Sequence, residues 1–521
     1  MKSGNKIRTR IGLFLAALAL PLAGLRAETL HVHLPTAPVS LDWNGTSTMI
    51  DAPMVLATHE GLFKQGGIGE PLVPALAESF SKEDEGRTYT FKIRKDAKWS
   101  DGRAVYAKDF ADAWIRLIAP TSSSIYTYYL FDIENAREFN SGKIQDAEQV
   151  GIRAVNDHTL RVKLKRPSAN WEQNTAFWPL FPVRKDLIEK YGSNWWRAGV
   201  LVSAGPFVWE SYEPGKLAIL KRNPHHSVEG GSNVDRIEFQ ILSSHEEALK
   251  RYESGSFRFL WNLPAAIIPT VKDRPSLVKQ PLMRGHLLTL NAARYPMTNR
   301  DFRAAILHSF DPEEIRPEKS DQLRPFPSLI LPPLPGSAGN HRLPKDGKLA
   351  RERLLKSRFM VSKQFKLRIL TGISEPYMSI GKKLQARISE QLGIAVELDA
   401  LPSQDYTTYM DLGEYHATLI TWTAKVLSPQ DFLLPYSGEA AHARVRYRNP
   451  FFDQYLFEGI RAPTPTLAAK AFGQAQKLLC EDEAVISPLF QEKATHLVSK
   501  SVKNLRFNHM GLPLLDRVII K

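Results

Sequence analysis

The chain has 521 residues, of which 43% are hydrophobic, 10% aromatic and 24% charged, and its formal net charge is +14. That length corresponds to about two to four domains with enough apolar material for packed cores, which excludes a disordered tail, a collagen-like rod and a multi-span membrane protein. A single cysteine, Cys480, excludes an intramolecular disulfide framework and thiolate zinc clusters.

Residues 1–27 read as a secretory signal. Lys2, Lys6, Arg8 and Arg10 precede an apolar run over 11–22 that is too short to span a bilayer as a helix, and Pro21 and Gly24 lead to a small-residue end at Ala27. No cysteine follows the run, so the reading is a cleaved signal without a lipoprotein anchor, with an uncleaved anchor as the alternative. Cleavage would remove five basic residues and no acid, leaving +9 from Glu28 onward. Spread over the chain, that excess suits a solvated basic surface, or anionic neighbours such as a lipid surface or acidic envelope polymers. No Arg/Lys block with interleaved aromatics points to nucleic acid. No later stretch is long and apolar enough to cross a membrane, so the expected location is the periplasm.

Farther along, Gly66-Gly67-Ile68-Gly69 lacks the later glycine of a dinucleotide loop and reads as a turn. Residues 88–94 alternate, with Tyr89, Phe91 and Ile93 on one face of a half-buried strand; 160–164 repeat the pattern. Ser100-Asp101-Gly102 is a turn. A helix is expected over 107–118, where Phe110, Trp114 and Leu117 share a face and Asp109 sits near the positive helix start. Gly230-Gly231-Ser232 is a loop, and the five prolines between Pro325 and Pro335 predict irregular chain. Leu384, Ile388 and Leu392 mark a helix that Gly393 caps before Ile394, Val396 and Leu398 alternate as a strand, an α/β unit. A last helix is expected over 467–480.

Catalytic patterns are missing: there is no G-x-S-x-G elbow, no H-E-x-x-H and no Walker loop. His225-His226 are adjacent in a loop and cannot form the one-face pair that a helix offers a metal. The reading is a binding protein with no catalytic, metal or cofactor site.

One stretch is more specific. Pro74-Ala75-Leu76-Ala77-Glu78-Ser79-Phe80, Tyr89 to Arg94, Trp99-Ser100-Asp101-Gly102 and Ala107-Lys108-Asp109-Phe110 follow in an order that resembles the family 5 extracellular solute-binding proteins, the oligopeptide- and dipeptide-binding receptors of ABC importers. The likeness continues through 187–192, Gly205-Pro206-Phe207, 220–224, 252–255, 302–306 with Asp311, 393–396, and Trp422 with Pro429, Phe432 and Leu433. It implies an α/β, two-lobe periplasmic-binding-protein fold with an extra subdomain, hinged by crossing strands. Lobe I would comprise 28–59, 203–283 and 491–521, the extra subdomain 60–202, and lobe II 284–490. It also implies a monomer that encloses a peptide or peptide-like ligand and meets an ABC permease transiently. A sensor or envelope chaperone built on the same lobes is the alternative.

By family position, the ligand-binding candidates are Ser47, Thr48, Met49, Arg284, Trp422, Lys425, Phe490 and Gln491. For Trp422, core packing is the competing role. His416 is either an ordinary strand histidine or a metal or haem contact. Lys425 stands where many peptide-binding relatives carry an Asp that grips the ligand's α-ammonium. Two ammonium groups ~4 Å apart repel by roughly 1 kcal/mol in water and ~4 kcal/mol at an effective dielectric of about 20. Three arrangements follow. Lys425 meets an anionic or neutral group of a blocked or carboxylate-rich ligand; or it pairs with Asp431 and leaves the amine to a carboxylate such as Asp51; or it points to solvent.

Overall fold

Two long antiparallel strands, Leu277–Leu290 and Ile486–Val498, run the length of the molecule's middle and tie its two lobes together. The computed structural model describes residues 27–521 apart from 46–48, 67, 69, 227–230, 319 and 439–445, together with the side chain of residue 404. Gly67, Gly69 and Gly230 of the expected turns lie outside the described residues.

In the first lobe, Glu28–Leu34 pairs in parallel with Val234–Ile241, and Leu217–Arg222 and Phe207–Glu213 extend the sheet antiparallel. A second four-stranded sheet holds Ala77–Glu83, Thr88–Ile93, Thr159–Lys163 and Ile152–Asn156. Helix Ala107–Leu117 lies against it and buries Phe110, Trp114 and Leu117, as the 3.6-residue spacing predicts. The strand at 88–93 departs from simple alternation, because Thr88 and Thr90 are buried as well as Tyr89, Phe91 and Ile93; the Thr88 hydroxyl donates to Asp84 at 2.9 Å.

The second lobe's sheet adds Ala417–Thr423, Lys366–Gly372 and Ala395–Leu401 to the two long strands. Helix Tyr377–Leu392 ends at Gly393, whose φ of 67° lies in the left-handed region that glycine adopts without a Cβ clash. The proline-rich stretch is not wholly irregular. Leu323–Pro325 pairs with Glu492, Gln491 and Phe490 at the sheet's rim, and Pro325 ends that short strand, where a missing N–H is tolerated. The late helix covers Pro465–Lys477 and closes in a wider turn, with the Glu483 N–H donating to Leu478 C=O at 2.9 Å.

The cores are separate. One apolar cluster unites the first lobe's sheet with the 77–163 sheet, and two others lie on either side of the second lobe's strands. The chain's end belongs to the first: Val502, Met510, Leu512, Leu515, Val518 and Ile520 pack into it. The Asn233 side chain clamps Ile520, accepting from its N–H at 2.8 Å and donating to its C=O at 2.7 Å. Where the two long strands cross between lobes their pairing slips, with Pro281 opposite Lys493 but Gly285 opposite Gln491.

Asp109 knits the 77–163 region together. Its carboxylate accepts from the Tyr106 N–H (2.9 Å), Trp99 Nε1 (3.1 Å) and Arg103 (2.7 Å). Asp109→Ala removes a helix cap and leaves the Trp99 indole N–H unpaired in the core. The expected loss is about 2–4 kcal/mol, read from urea unfolding midpoints, with Asp109→Asn recovering part of it.

Candidate functional site

The crossing strands carry the most polar cluster of the molecule's interior. Arg284 lies opposite Thr423, Gly285 opposite Trp422 on one side and Gln491 on the other, and His286 opposite Thr421 and Phe490. Glu492 lies between Arg284 and His286: it accepts from Arg284 Nη1 and from His286 Nε2, each at 2.9 Å. A hydrogen-bond chain continues on the other side of the imidazole. Tyr377 OH donates to Thr421 Oγ1 at 2.7 Å, and that hydroxyl meets His286 Nδ1 at 2.9 Å. Nε2–H thus donates to a carboxylate while Nδ1 faces the threonine hydroxyl, so both ring nitrogens are hydrogen-bonded. Burial alone would push the Glu492 carboxyl up, but the His286 hydrogen bond and the Arg284 charge outweigh it and hold its pKa below 4.5. Arg284 also donates through Nε to Thr423 Oγ1 at 3.0 Å.

Lys425 follows directly on this strand end. Its backbone N–H and that of Val426 both donate to Asp431 Oδ2, the latter at 3.1 Å, while Tyr129 OH donates to Asp431 Oδ1 at 2.8 Å from across the lobe boundary. Burial raises the Asp431 pKa despite these bonds. The preceding Ala424 carbonyl accepts from His509 Nε2 at 3.1 Å, and burial lowers the His509 pKa to about 3, so the ring is neutral.

The Lys425 side chain therefore emerges from a loop pinned on three sides. It lines a cavity of about 60 Å³ whose other walls all come from the first lobe's side, with Leu56, Trp178, Phe181, Asn508 and Met510 as well as the charged Glu60, Lys64, Arg506 and Asp516. Among the described residues no ion pair engages its ammonium. Burial pulls its pKa from 10.5 to about 8, Asp431 opposing the shift and Arg284 adding to it.

The expected site residues divide accordingly. Arg284, Trp422 and Gln491 stand side by side on adjacent strands, and Lys425 lies just beyond them. Gln491 is occupied internally, donating to Leu282 C=O at 3.0 Å. Phe490 is 1% exposed and belongs to the second lobe's apolar core, so packing accounts for it. Trp422 is half-buried against the neighbouring cluster. Met49 is half-buried against the first lobe's core, and Ser47 and Thr48 lie outside the described residues. Asp51 is 0% exposed and accepts from the Val39 and Ser40 N–H groups at 2.7 and 3.3 Å, so its carboxylate holds a loop rather than a ligand amine. His416 accepts from the Arg368 N–H at 2.9 Å, a structural role. Sequence reasoning missed Glu492, Tyr377 and Tyr129, none of which carries a local motif.

Glu492→Gln would leave Arg284 without its carboxylate and His286 without a charged acceptor. A carboxyl whose folded pKa is depressed stabilises above its unfolded value and loses that stabilisation as pH falls through the folded one. The expected loss is about 2–4 kcal/mol at neutral pH, and the gap to the parent protein narrows as pH drops below 4.5. Urea midpoints across that range check both the size and the sign.

Comparison with known proteins agrees with this architecture. The family described as bacterial extracellular solute-binding proteins, family 5 Middle, matches residues 71–443. An oligopeptide-binding protein, OppA of Bacillus subtilis, is 25% identical over 494 residues, covering 92% of this chain and 90% of its own. The probable deoxycholate-binding periplasmic protein YgiS of Escherichia coli is 24% identical, covering 92% and 91%. The solved structure of the Escherichia coli murein tripeptide binding protein MppA superposes with a TM-score of 0.79 at 23% identity, covering 95% of this chain and 99% of that one.

Proposed function

As the chain belongs to the bacterial extracellular solute-binding proteins of family 5, we propose that it is a periplasmic receptor that encloses an oligopeptide or peptide-like solute between its lobes and delivers it to an ABC permease of the inner membrane. In this reading lobe I comprises 28–59, 203–283 and 491–521, the extra subdomain 60–202 and lobe II 284–490. The protein works as a monomer and performs no reaction. Ligand contacts made only when the lobes meet shift the balance toward the shut form. In this reading main-chain pairing to an extended peptide gives affinity with little dependence on side chains.

The observation that carries the finer reading is the Lys425 ammonium, which has no ion pair among the described residues and lines the cavity. A cation there favours a ligand end that is anionic or blocked: an N-acylated peptide, a carboxylate-rich peptide or a cell-wall fragment. A free amine at the same place meets like charge. Arg284 adds to the positive potential. A second reading, a non-peptide anion, is favoured by the wall itself. Leu56, Trp178, Phe181 and Met510 give the cavity an apolar side beside Lys425 and Arg506, while Lys64 is paired with Glu60 and Asp516, a lining that can take an amphipathic carboxylate, and the relative YgiS is named for deoxycholate.

Unmodified tripeptides to pentapeptides are expected to bind weakly, and Lys425→Asp to strengthen them. The gain lies between about five-fold and several-hundred-fold, the span set by the local dielectric. Titration calorimetry on both proteins measures it; unchanged or reduced affinity for free-amine peptides removes Lys425 from the binding site. The same instrument separates the two readings through N-acetylated peptides and deoxycholate.

Affinity for an anionic ligand has a defined pH course. The contact favours the ammonium form, so affinity is level well below pH 8 and falls as pH rises through about 8, where the free lysine loses its proton. Lys425→Met is expected to abolish this slope. A slope that persists in Lys425→Met assigns it to another group.

A further inference from the structure

The basic character of the chain is concentrated away from the cavity. Residues 345–368 contain nine lysines and arginines against two acids, Asp346 and Glu352. Five of the nine are engaged: Lys345 with Glu314, Lys348 with Glu352, Arg353 with Asp301, Lys366 with Glu397 and Arg368 with Asp399. Arg351, Lys356, Arg358 and Lys363 are exposed, and no ion pair among the described residues engages them. Within 351–363 the sole acid, Glu352, is the partner of Lys348.

The same segment carries the most exposed large apolar side chain among the described residues. Met360 is 89% exposed, Leu355 78% and the adjacent Tyr295 70%. Their placement is built. Helix Gly347–Lys356 ends with the Arg358 N–H donating to Leu355 C=O at 3.0 Å, and Arg358 takes a left-handed φ of 56°, a conformation that glycine adopts more readily. That turn directs Phe359 inward, edge-on to Phe302 at 4.9 Å between ring centres, and leaves Met360 outside. Tyr295 packs its ring on the outer side of Phe359 at 5.8 Å. The result is an exposed apolar tip in a stretch whose four exposed cations have no ion pair among the described residues.

We infer that this tip docks the protein on a bilayer surface that presents anionic headgroups. Charge complementarity selects the occupant. Four exposed cations in this stretch, with no free acid among them, suit a plane of phosphates, each cation near such a surface adding favourable energy within a Debye length. Lysine and arginine stems lie along apolar surface while their heads stay at headgroup level, and tyrosine favours the same boundary. The highly exposed methionine and leucine suit shallow entry into the acyl boundary. Such contact would concentrate the receptor at the membrane without a lipid chain. It is independent of what the cavity beside Lys425 holds, because no residue of 345–368 lines that cavity.

Vesicle cosedimentation of the full chain tests it, using neutral phosphatidylcholine and the same lipid with about one third phosphatidylglycerol. Binding is expected to the anionic vesicles and to weaken in high salt. The double variant Lys356→Glu with Lys363→Glu is expected to lose about thirty-fold or more in partitioning. Leu355→Ser with Met360→Ser, which leaves charge unchanged, is expected to lose about ten-fold. All four positions are exposed, so unchanged thermal unfolding verifies the fold of each variant. Equal binding to neutral and anionic vesicles overturns the inference. So does anionic binding that survives the charge reversal, which would assign membrane contact to the apolar stretch at 11–22. Binding that requires a permease in the vesicle overturns it too, and makes the tip a protein-docking surface.

Discussion

The carboxylate of Glu492 sits between Arg284 and His286 at the place where the chain passes from one lobe to the other. A buried charge is tolerated only when its partners are close and its remaining lone pairs are filled, and each requirement is met from a different strand. Arg284 and His286 come from Leu277–Leu290, Thr421 and Thr423 from Ala417–Thr423, and Glu492 from Ile486–Val498. The slipped pairing between Pro281 and Gly285 lies at the same level. The ladder is thus loosened where side-chain bonds are densest. Backbone bonds can bend there while the ionic centre preserves the register of the three strands.

The position of Lys425 follows from this arrangement. The strand ending at Thr423 is held by Arg284, Ala424 is held by His509, and the next two N–H groups are held by Asp431. Asp431 is also the point at which Tyr129 reaches over from the first lobe's side. With the main chain fixed so closely, the lysine stem has few directions to take. Asp431 accepts from two backbone amides and a phenol, and its charge acts on the lysine without an ion pair among the described residues. Enclosure outweighs that charge and lowers the Lys425 pKa.

What could be read in advance was whatever repeats locally. Helix Ala107–Leu117 was legible because Phe110, Trp114 and Leu117 recur at helical spacing, and Tyr377–Leu392 because Gly393 punctuates it. The order of short motifs from Pro74 to Phe110 carried the family. The polar centre was not legible, because Arg284 and Glu492 are 208 residues apart and Tyr129 and Asp431 are 302 apart. Charge alone cannot say which lysine or aspartate will find which partner. Asp51 shows the same limit: its type suits an amine, and only its burial beneath Val39 and Ser40 reveals a different use. Phe490 occupies an expected contact position and turns its ring into the core. The net charge, which composition spreads over the whole surface, gathers around Met360 once the helix and the left-handed residue after it are in place.

The clamp of Asn233 on Ile520 has a consequence for how the first lobe is completed. Residues near position 30 and residues near position 520 share one apolar interior. That interior cannot close until the last residues of the chain have joined the first, so removing the tail would open the core on which the lobe that begins the chain is built.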